Sequence, residues 1–229
     1  MTQILQIEVS ARTRRSLSRE LSQAFREHWL ELEPQAQITL RDLSLEPPSF
    51  VSEPWIAAAF TPPGQRQPEQ HKRLEESNQL IAEIKAADII AIASPMYNYG
   101  MPAVLKAWFD QVIRVGETFS FDLQRGDWPL APLLSGKTLV VLSSRGEFGF
   151  EPGGIRASWN HLDPHIATCA HYLGAERRHH IAIDYQEFGD QRHRESIARA
   201  HADLAELVAR LQHCGHRDSQ AQAPASQTA

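Results

Sequence analysis

The sequence predicts one α/β domain built on a doubly wound parallel sheet. Short apolar segments alternate along the chain with longer segments whose apolar residues recur at helical spacing. That alternation is typical of β-α-β units with right-handed crossovers. The third and fourth apolar segments are almost wholly apolar, as expected of strands covered on both faces. The length of 229 residues suits one full domain and falls short of two typical ones.

The predicted elements alternate without exception. The five strands are expected at residues 3–9, 37–42, 88–93, 138–143 and 179–185. The five helices are expected at residues 16–32, 71–86, 103–112, 159–173 and 191–212. The second strand alternates apolar and polar residues, so we place it nearer the sheet edge. The domain is predicted to span residues 1–213, and the polar segment 214–229 is predicted to be a disordered tail.

A proline-rich segment, residues 44–70, separates the second strand from the second helix. Loops of this length inside compact domains are usually functional covers, interface arms or disordered segments. The aromatic residues Phe50, Trp55 and Phe60 favour a cover or an arm over disorder. We therefore expect this segment to shape a binding site or an interface.

Composition excludes several classes of protein. A net charge of -5 with interspersed acidic and basic residues argues against a nucleic-acid footprint and against a polybasic membrane patch. No apolar stretch approaches membrane-spanning length, and the first residues lack the pattern of a signal peptide. A cytoplasmic location is the expectation.

Cysteines and histidines give no sign of a disulfide scaffold or a metal centre. Cys169 and Cys214 lack ligand spacing, and Cys169 shares a helical stripe with apolar residues, which predicts simple packing. His161 and His165 are four residues apart, but no HExxH arrangement accompanies them, so no metal is expected. No serine sits in a Gly-x-Ser-x-Gly nucleophile elbow, and no catalytic side chain is predicted.

The loop after the first strand, residues 10–18, combines hydroxyls with cations and leads into a helix. Ser10, Ser16 and Ser18 together with free backbone N–H groups at a helix N-terminus can receive a phosphate. Glycines are absent from this loop, which excludes a dinucleotide fingerprint and a P-loop. The alternative is that Ser16 is a plain N-cap with solvated arginines around it.

The loop after the third strand, residues 94–102, offers two phenol rings and a carboxamide. Tyr97, Asn98 and Tyr99 lie between Pro95 and Pro102, which stiffen the backbone. That combination suits a flat, polar heterocycle that stacks on a ring and is hydrogen-bonded along its edge. The alternative is a tight connection without a ligand.

The loop after the fourth strand, residues 144–154, contains glycines that let backbone N–H groups approach a ligand. All three loops would open on the carboxyl edge of the sheet, where α/β proteins bind ligands. The flavodoxin-like strand order 2-1-3-4-5 would place flavin mononucleotide (FMN) at this edge, between the first and third strands.

A series of motifs in the same order resembles the FMN-dependent NADH:quinone oxidoreductases, also called azoreductases. The resemblance covers roughly residues 2–212. Its motifs are Ser10-x-Arg12, Ser16-Leu17-Ser18, the Pro95-Met96-Tyr97-Asn98-Tyr99 block, Leu105-Lys106-x-x-Phe109-Asp110, Gly116-x-Thr118-Phe119 and Ser144-Arg145-Gly146.

The resemblance implies a set of FMN-binding positions. The phosphate would be held by Ser10, Ser16, Leu17 and Ser18. The isoalloxazine ring and ribityl chain would be contacted by Pro95, Met96, Tyr97, Asn98 and Tyr99. The far edge of the ring would be lined by Ser144, Arg145, Gly146 and Glu147. The family usually has a second glycine where this chain has Glu147, which would change the charge at the flavin edge.

The resemblance also implies an activity and an assembly. NADH or NADPH would give a hydride to bound FMN, and a quinone or azo compound would then receive two electrons in a ping-pong reaction. Members of the family are homodimers with the flavin at the interface. Phe119, Phe121 and the arm around Trp55 are the candidates for packing over the partner's site, and segment 52–68 would reshape the substrate mouth.

Two other interpretations of the same residues remain. A flavodoxin-type electron-transfer protein would cycle single electrons between protein partners, but such carriers tend to be shorter and strongly acidic. A flavin-free structural or sensor domain on the same fold would require all three loops to match by accident. No motif that reads the ribose phosphate distinguishes NADH from NADPH.

Overall fold

The computed structural model describes residues 1–221, with side chains described for residues 1–213. Its strands are β1 (Gln3–Glu8), β2 (Gln37–Asp42), β3 (Ile89–Pro95), β4 (Phe119–Phe121), β5 (Leu130–Pro132), β6 (Lys137–Ser144) and β7 (Ala175–Ile183). Its α-helices are α1 (Leu17–Leu32), α2 (Glu53–Phe60), α3 (Pro68–Arg73), α4 (Glu75–Ala86), α5 (Ala103–Val112), α6 (Asp163–Ala170) and α7 (Gln191–Ala221).

A five-stranded parallel sheet in the order β2-β1-β3-β6-β7 forms the centre of the molecule. The predicted strand order is therefore confirmed, with β2 at one edge. The register pairs Glu8 with Ala93 and Pro95 with Ser144. The carboxyl ends of β1, β3 and β6 consequently lie side by side, and the three loops predicted to bind a ligand start from one edge.

Two apolar layers cover the sheet because successive residues of each strand point to opposite faces. Ile90 and Ile92 of β3 belong to the layer that contains the buried residues of α4, α5 and α6. Ile89 and Ala91 belong to the layer that contains the buried residues of α1 and α7. Because β3 is buried along its whole length, its sequence shows no alternation.

The predicted helix at 159–173 is wrong in its first third. Helix α6 begins at Asp163 with a proline in its first turn, a position that accepts proline. Trp159 belongs to a separate 3-10 turn and is 53% exposed, so it does not share the stripe of Cys169. The remaining members of that stripe, among them Leu162 and Ile166, are buried with Cys169 in the core as predicted.

The proline-rich segment is folded rather than a long loop. Helix α2 begins after Ser52, whose hydroxyl accepts a hydrogen bond from the Trp55 N–H at 3.4 Å. Trp55 packs with Ala58 and Leu74 in a small cluster of its own. Leu74 also separates α3 from α4, which were predicted as one helix. The segment is thus largely helical and held by local apolar contacts.

Three further differences lie in the second half of the chain. Strand β7 begins at Ala175, four residues before its predicted start, because polar residues are common in edge strands. The antiparallel pair of β4 and β5 was not predicted. Helix α7 continues to Ala221, past the predicted domain end at residue 213, and residues 222–229 of the predicted tail lie outside the described residues.

None of the described helices is long and apolar enough to cross a membrane.

Candidate functional site

The first loop presents three buried serines at the start of α1. Ser10, Ser16 and Ser18 are all buried, and the Oγ atoms of Ser16 and Ser18 are hydrogen-bonded at 3.3 Å. Ser16 is the N-cap residue of α1, yet its side chain makes no capping hydrogen bond. The plain N-cap interpretation is therefore incomplete, because the hydroxyl is turned toward another hydroxyl and not toward the helix backbone.

The hydrogen bonds of this loop leave donors for an anion. The Arg12 N–H donates to Ser10 Oγ at 3.2 Å, so the hydroxyl proton of Ser10 is still able to donate elsewhere. The first N–H groups of α1, from Leu17 onward, have no partner within the helix. Arg15 precedes the helix with a left-handed φ of 56°, which turns the chain into it. Helix N–H groups, the positive end of the helix dipole and hydroxyls together suit a phosphate.

Arg19, which the sequence analysis did not select, ties the first loop to β2. Its Nη2 donates to the Ser10 carbonyl oxygen at 2.8 Å and to Ser44 Oγ at 2.8 Å. The guanidinium also bonds both carboxylate oxygens of Asp42, at 2.7 and 2.9 Å, and lies 3.1 Å from Glu8. The loop that carries Ser10 is thereby held by a charge network beneath it.

Two carboxylates of this network have pKa values shifted in opposite directions. Burial raises the pKa of Glu8 above its ordinary value, against the opposing effects of Ser22 and Arg19. Burial also acts to raise the pKa of Asp42, but hydrogen bonds from Arg19 and Ser44 outweigh it, and the pKa of Asp42 is lowered. Asp42 is therefore the ionised partner of Arg19, whereas Glu8 holds a proton more readily than an exposed glutamate.

The second loop forms a two-residue turn at the end of β3. Tyr97 and Gly100 exchange two backbone hydrogen bonds of 3.0 Å each, which leaves Asn98 and Tyr99 as the central residues. Both central residues have left-handed φ angles, 48° and 66°. Such a conformation is rare for a bulky residue and is found mostly where function requires it. The turn exposes the two phenol rings and the carboxamide that the sequence analysis selected.

Aromatic packing holds Tyr99 in this turn. Its ring meets Trp159 edge-on at a centroid distance of 5.5 Å and lies 6.3 Å from Phe150. The His161 N–H donates to the Tyr99 carbonyl oxygen at 2.9 Å. A hydrogen bond to Glu147 raises the pKa of the Tyr99 hydroxyl. The second and third loops are thus joined through side chains as well as through the sheet.

The third loop continues from β6 beside the second. The Met96 N–H donates to the Ser144 carbonyl oxygen at 2.8 Å, and Ser144 is buried. Glu147 forms an ion pair of 2.9 Å with Arg156. Its charge is therefore largely neutralised within the chain. Gly146, the residue before it, lies under the side chain of Glu187.

The side chain of Arg145 lies in a cluster of charged groups. Its guanidinium is buried, forms an ion pair with Asp163 and lies 3.6 Å from Asp184. The nearest ring nitrogen of His180 is 3.3 Å away. These groups line a cavity of about 400 Å³ between the third loop, α6 and β7. The carboxylates hold the side chain of Arg145 in this cluster. The contact of Arg145 with the flavin edge stays a prediction.

The residues predicted to pack on a partner are placed apart from the three loops. Phe119 meets Tyr172 at a centroid distance of 5.6 Å, and Phe121 is largely exposed on the strand pair β4–β5. Trp55 is buried in a cluster with Ala58 and Leu74. No ring contact or hydrogen bond within residues 1–213 joins these three side chains to the loops. Trp55 therefore packs within its own chain, and the packing of these residues against a partner stays a prediction.

A metal centre is not formed by the described residues. No group of three His, Cys, Asp or Glu side chains within residues 1–213 is arranged as metal ligands. The three loops present hydroxyls, backbone N–H groups, a carboxamide and phenol rings. Such groups bind and orient a phosphorylated, flat cofactor.

The fold and its edge site define a flavodoxin-like α/β protein. The family model described as a flavodoxin-like fold matches residues 2–208. A protein from Colwellia psychrerythraea named FMN-dependent NADH:quinone oxidoreductase 2 is 50% identical over 218 residues, covering 92% of this chain and 100% of the relative. A protein from Pseudomonas aeruginosa named FMN-dependent NAD(P)H:quinone oxidoreductase 1 is 38% identical over 209 residues, covering 91% and 99%. The chain belongs to the family of FMN-dependent NADH:quinone oxidoreductases.

A solved structure agrees with this fold. The FMN-dependent NADH-azoreductase from Bacillus anthracis, solved in complex with FMN, superposes with a TM-score of 0.80 at 20% identity. The superposition covers 92% of this chain and 99% of the azoreductase. At this identity the likeness supports the fold alone.

Proposed function

We propose that this protein is an FMN-dependent oxidoreductase that uses NADH or NADPH to reduce quinones and azo compounds by two electrons. The observation that supports it most is the common edge shared by the buried serines of the first loop and the turn at Asn98 and Tyr99. The whole-length relatives named FMN-dependent quinone oxidoreductases support the same function. Those names also favour the oxidoreductase over a flavodoxin-type electron carrier.

The described residues fit FMN. The phosphate would be held by Ser10, Ser16, Ser18 and the N-terminal N–H groups from Leu17 onward. The ring would lie between the second and third loops, where the carboxamide of Asn98 and the phenol rings supply polar edges and a stacking surface. Pro95, Met96 and Ser144 would shape this region, since they connect the two loops through the sheet.

The chain's own groups would bind, orient and exclude water rather than transfer protons. Bound FMN supplies the redox chemistry, because it accepts a hydride from a nicotinamide and passes two electrons to a second substrate. Asn98 and nearby backbone N–H groups would stabilise negative charge at the polar edge of the ring, as oxyanion-hole donors do. Tyr99, held by Trp159 and Glu147, would fix the wall of the cleft.

A homodimer in the cytoplasm completes the proposal. The strand pair β4–β5 and the turn between its strands expose Phe121, Leu123 and Trp128, the last at 84%. Large apolar side chains exposed together are typical of a surface that another chain would cover. The exposed Phe60 at the end of α2 is a second candidate for this contact.

Initial rates test the activity and the role of the turn together. Varying NADH and a quinone should give parallel double-reciprocal lines, as expected when one product leaves before the second substrate binds. Asn98→Gly, which accepts the left-handed φ of 48° but lacks the carboxamide, should slow turnover about tenfold. A holoprotein with bound FMN that transfers no electrons to a quinone would contradict the proposal.

A further inference from the structure

Glu187 lies over the glycine of the third loop. A Cβ on Gly146 would be 2.7 Å from Glu187 Oε1 and 2.9 Å from Glu187 Cγ. The backbone fixes this approach, since the Glu187 N–H donates to the Gly146 carbonyl oxygen at 3.0 Å. The Gln186 N–H likewise donates to the Arg145 carbonyl oxygen at 3.2 Å. The segment that follows β7 therefore runs beside the third loop and presents its carboxylate there.

The charge of Glu187 is not balanced, in contrast to that of its neighbour. Glu147 is paired with Arg156 at 2.9 Å. Glu187 is exposed and forms no ion pair or side-chain hydrogen bond with any residue in the range 1–213. Its field also reaches the Tyr99 hydroxyl, whose pKa it raises together with Glu147. The carboxylate of Glu187 is thus an unpaired negative charge beside the second and third loops.

We propose that Glu187 determines substrate specificity by disfavouring anionic electron acceptors, so that neutral quinones and neutral or cationic azo compounds are the preferred class. This inference rests on the proposed function, because an acceptor that meets the flavin between the second and third loops would lie near Gly146 and Glu187. A sulfonate or carboxylate on the acceptor would there approach a like charge, whose repulsion is strongest at low ionic strength. The reaction adds a hydride and one proton to a quinone whatever its substituents, so the charge changes binding and not stoichiometry.

The test compares two acceptors that differ by one charge. The probes are a naphthoquinone and the same ring bearing one sulfonate. Binding of each to the oxidised, FMN-loaded protein is followed without nicotinamide by the change in flavin absorbance, and kcat/KM is measured separately. The proteins are the wild type, Glu187→Gln and a matched control, Glu206→Gln, which removes the same charge from the exposed face of α7.

Glu187→Gln should improve both the affinity and kcat/KM for the sulfonated ring about threefold to tenfold at low ionic strength. It should leave the neutral ring within about twofold, and the gain should shrink at about 1 M salt, where charges are screened within ~3 Å. Glu206→Gln should reproduce none of this gain.

Two results would overturn the inference. One is an unchanged ratio between the two rings in Glu187→Gln, and the other is an equal gain in Glu206→Gln, which would indicate an effect of net charge alone. The binding measurement needs no turnover. It therefore decides the role of Glu187 even if the wild type reduces neither ring, a result that would count against the proposed function instead.

Discussion

Replacing Arg19 by glutamine should loosen the first loop and weaken the binding of FMN. The guanidinium makes charge-assisted hydrogen bonds to Asp42 and bonds to Ser44 and to the Ser10 carbonyl oxygen, and its side chain is only 17% exposed. Removing it leaves Asp42 and Glu8 without their cation, which should lower the free energy of unfolding by about 2–4 kcal/mol.

The effect on the cofactor follows from one of these bonds. The bond to Ser10 orders the loop that would hold the phosphate, and a hydrogen bond of this kind is worth about 1 kcal/mol. Its loss alone should weaken FMN about fivefold, and the two uncompensated carboxylates should extend the loss beyond about tenfold through repulsion of the phosphate. Riboflavin has no phosphate, so its affinity should change far less.

Titration of the apoprotein with FMN and with riboflavin, followed by flavin fluorescence, measures this difference. Arg26→Gln is the matched control, because Arg26 lies on the same helix and forms no ion pair within residues 1–213. Denaturant unfolding of each variant gives the change in stability. Equal losses of FMN and riboflavin affinity in Arg19→Gln, or no loss of either, would refute the positioning role.

Three further changes have defined outcomes. Burial raises the pKa of Glu8 above its ordinary value of 4.5. The stabilisation from the protonated carboxyl of Glu8 is therefore present below that pH, and it is lost as the pH rises through the pKa of the folded state. Glu8→Gln should therefore gain unfolding free energy over the wild type progressively above about pH 5, and a margin independent of pH would contradict this. Burial raises the pKa of the Cys169 thiol to about 11. In a Cys214→Ser background, a disulfide reagent at about pH 8 should therefore label Cys169 only as fast as the native protein opens locally. Rapid stoichiometric labelling would show an accessible thiol. Replacing Phe121 and Trp128 together by serine should raise the dimer dissociation constant more than about tenfold in sedimentation equilibrium, whereas an unchanged constant would place the interface elsewhere.

The fold was predictable because local patterns determine it almost completely. Buried strands such as β3 appear as short apolar runs, and helices such as α1 show apolar residues at helical spacing. Parallel strands place their carboxyl ends together, so the positions of the three loops followed from the alternation alone. Some errors fell where proline or short-range packing decides the outcome, at the start of α6 and in the segment around Trp55. Others fell at the polar start of β7 and at the β4–β5 pair.

The candidate site was predictable at the level of the backbone and less so for side chains. The motifs identified the serines of the first loop and the turn that contains Asn98. They did not predict the direction of Arg145, because its partners Asp163 and Asp184 are brought close only by the folded chain. Arg19 was not predicted for the same reason, because its partners Asp42 and Ser10 are brought close only by the folded chain. The predicted neighbourhood of β1 and β2 did not reveal these contacts.

Glu187 is the clearest example of a residue that the sequence alone could not single out. Its importance lies in its position over Gly146, 41 residues earlier in the chain, and no local motif marks it. A paired carboxylate and an unpaired one look alike in a sequence. Only the folded arrangement shows that Glu147 has Arg156 as its partner and that Glu187 leaves its charge at the edge of the cleft.

The most direct test of the account is the visible absorption spectrum of the purified protein under anaerobic conditions, before and after NADH is added and again after a quinone is added. We expect flavin bands that NADH bleaches in a single two-electron step and that the quinone restores. Flavin that NADH does not reduce, and that a chemical reductant reduces in two separate one-electron steps, would indicate an electron-transfer protein of the flavodoxin type. A protein that binds no FMN would contradict the central claim.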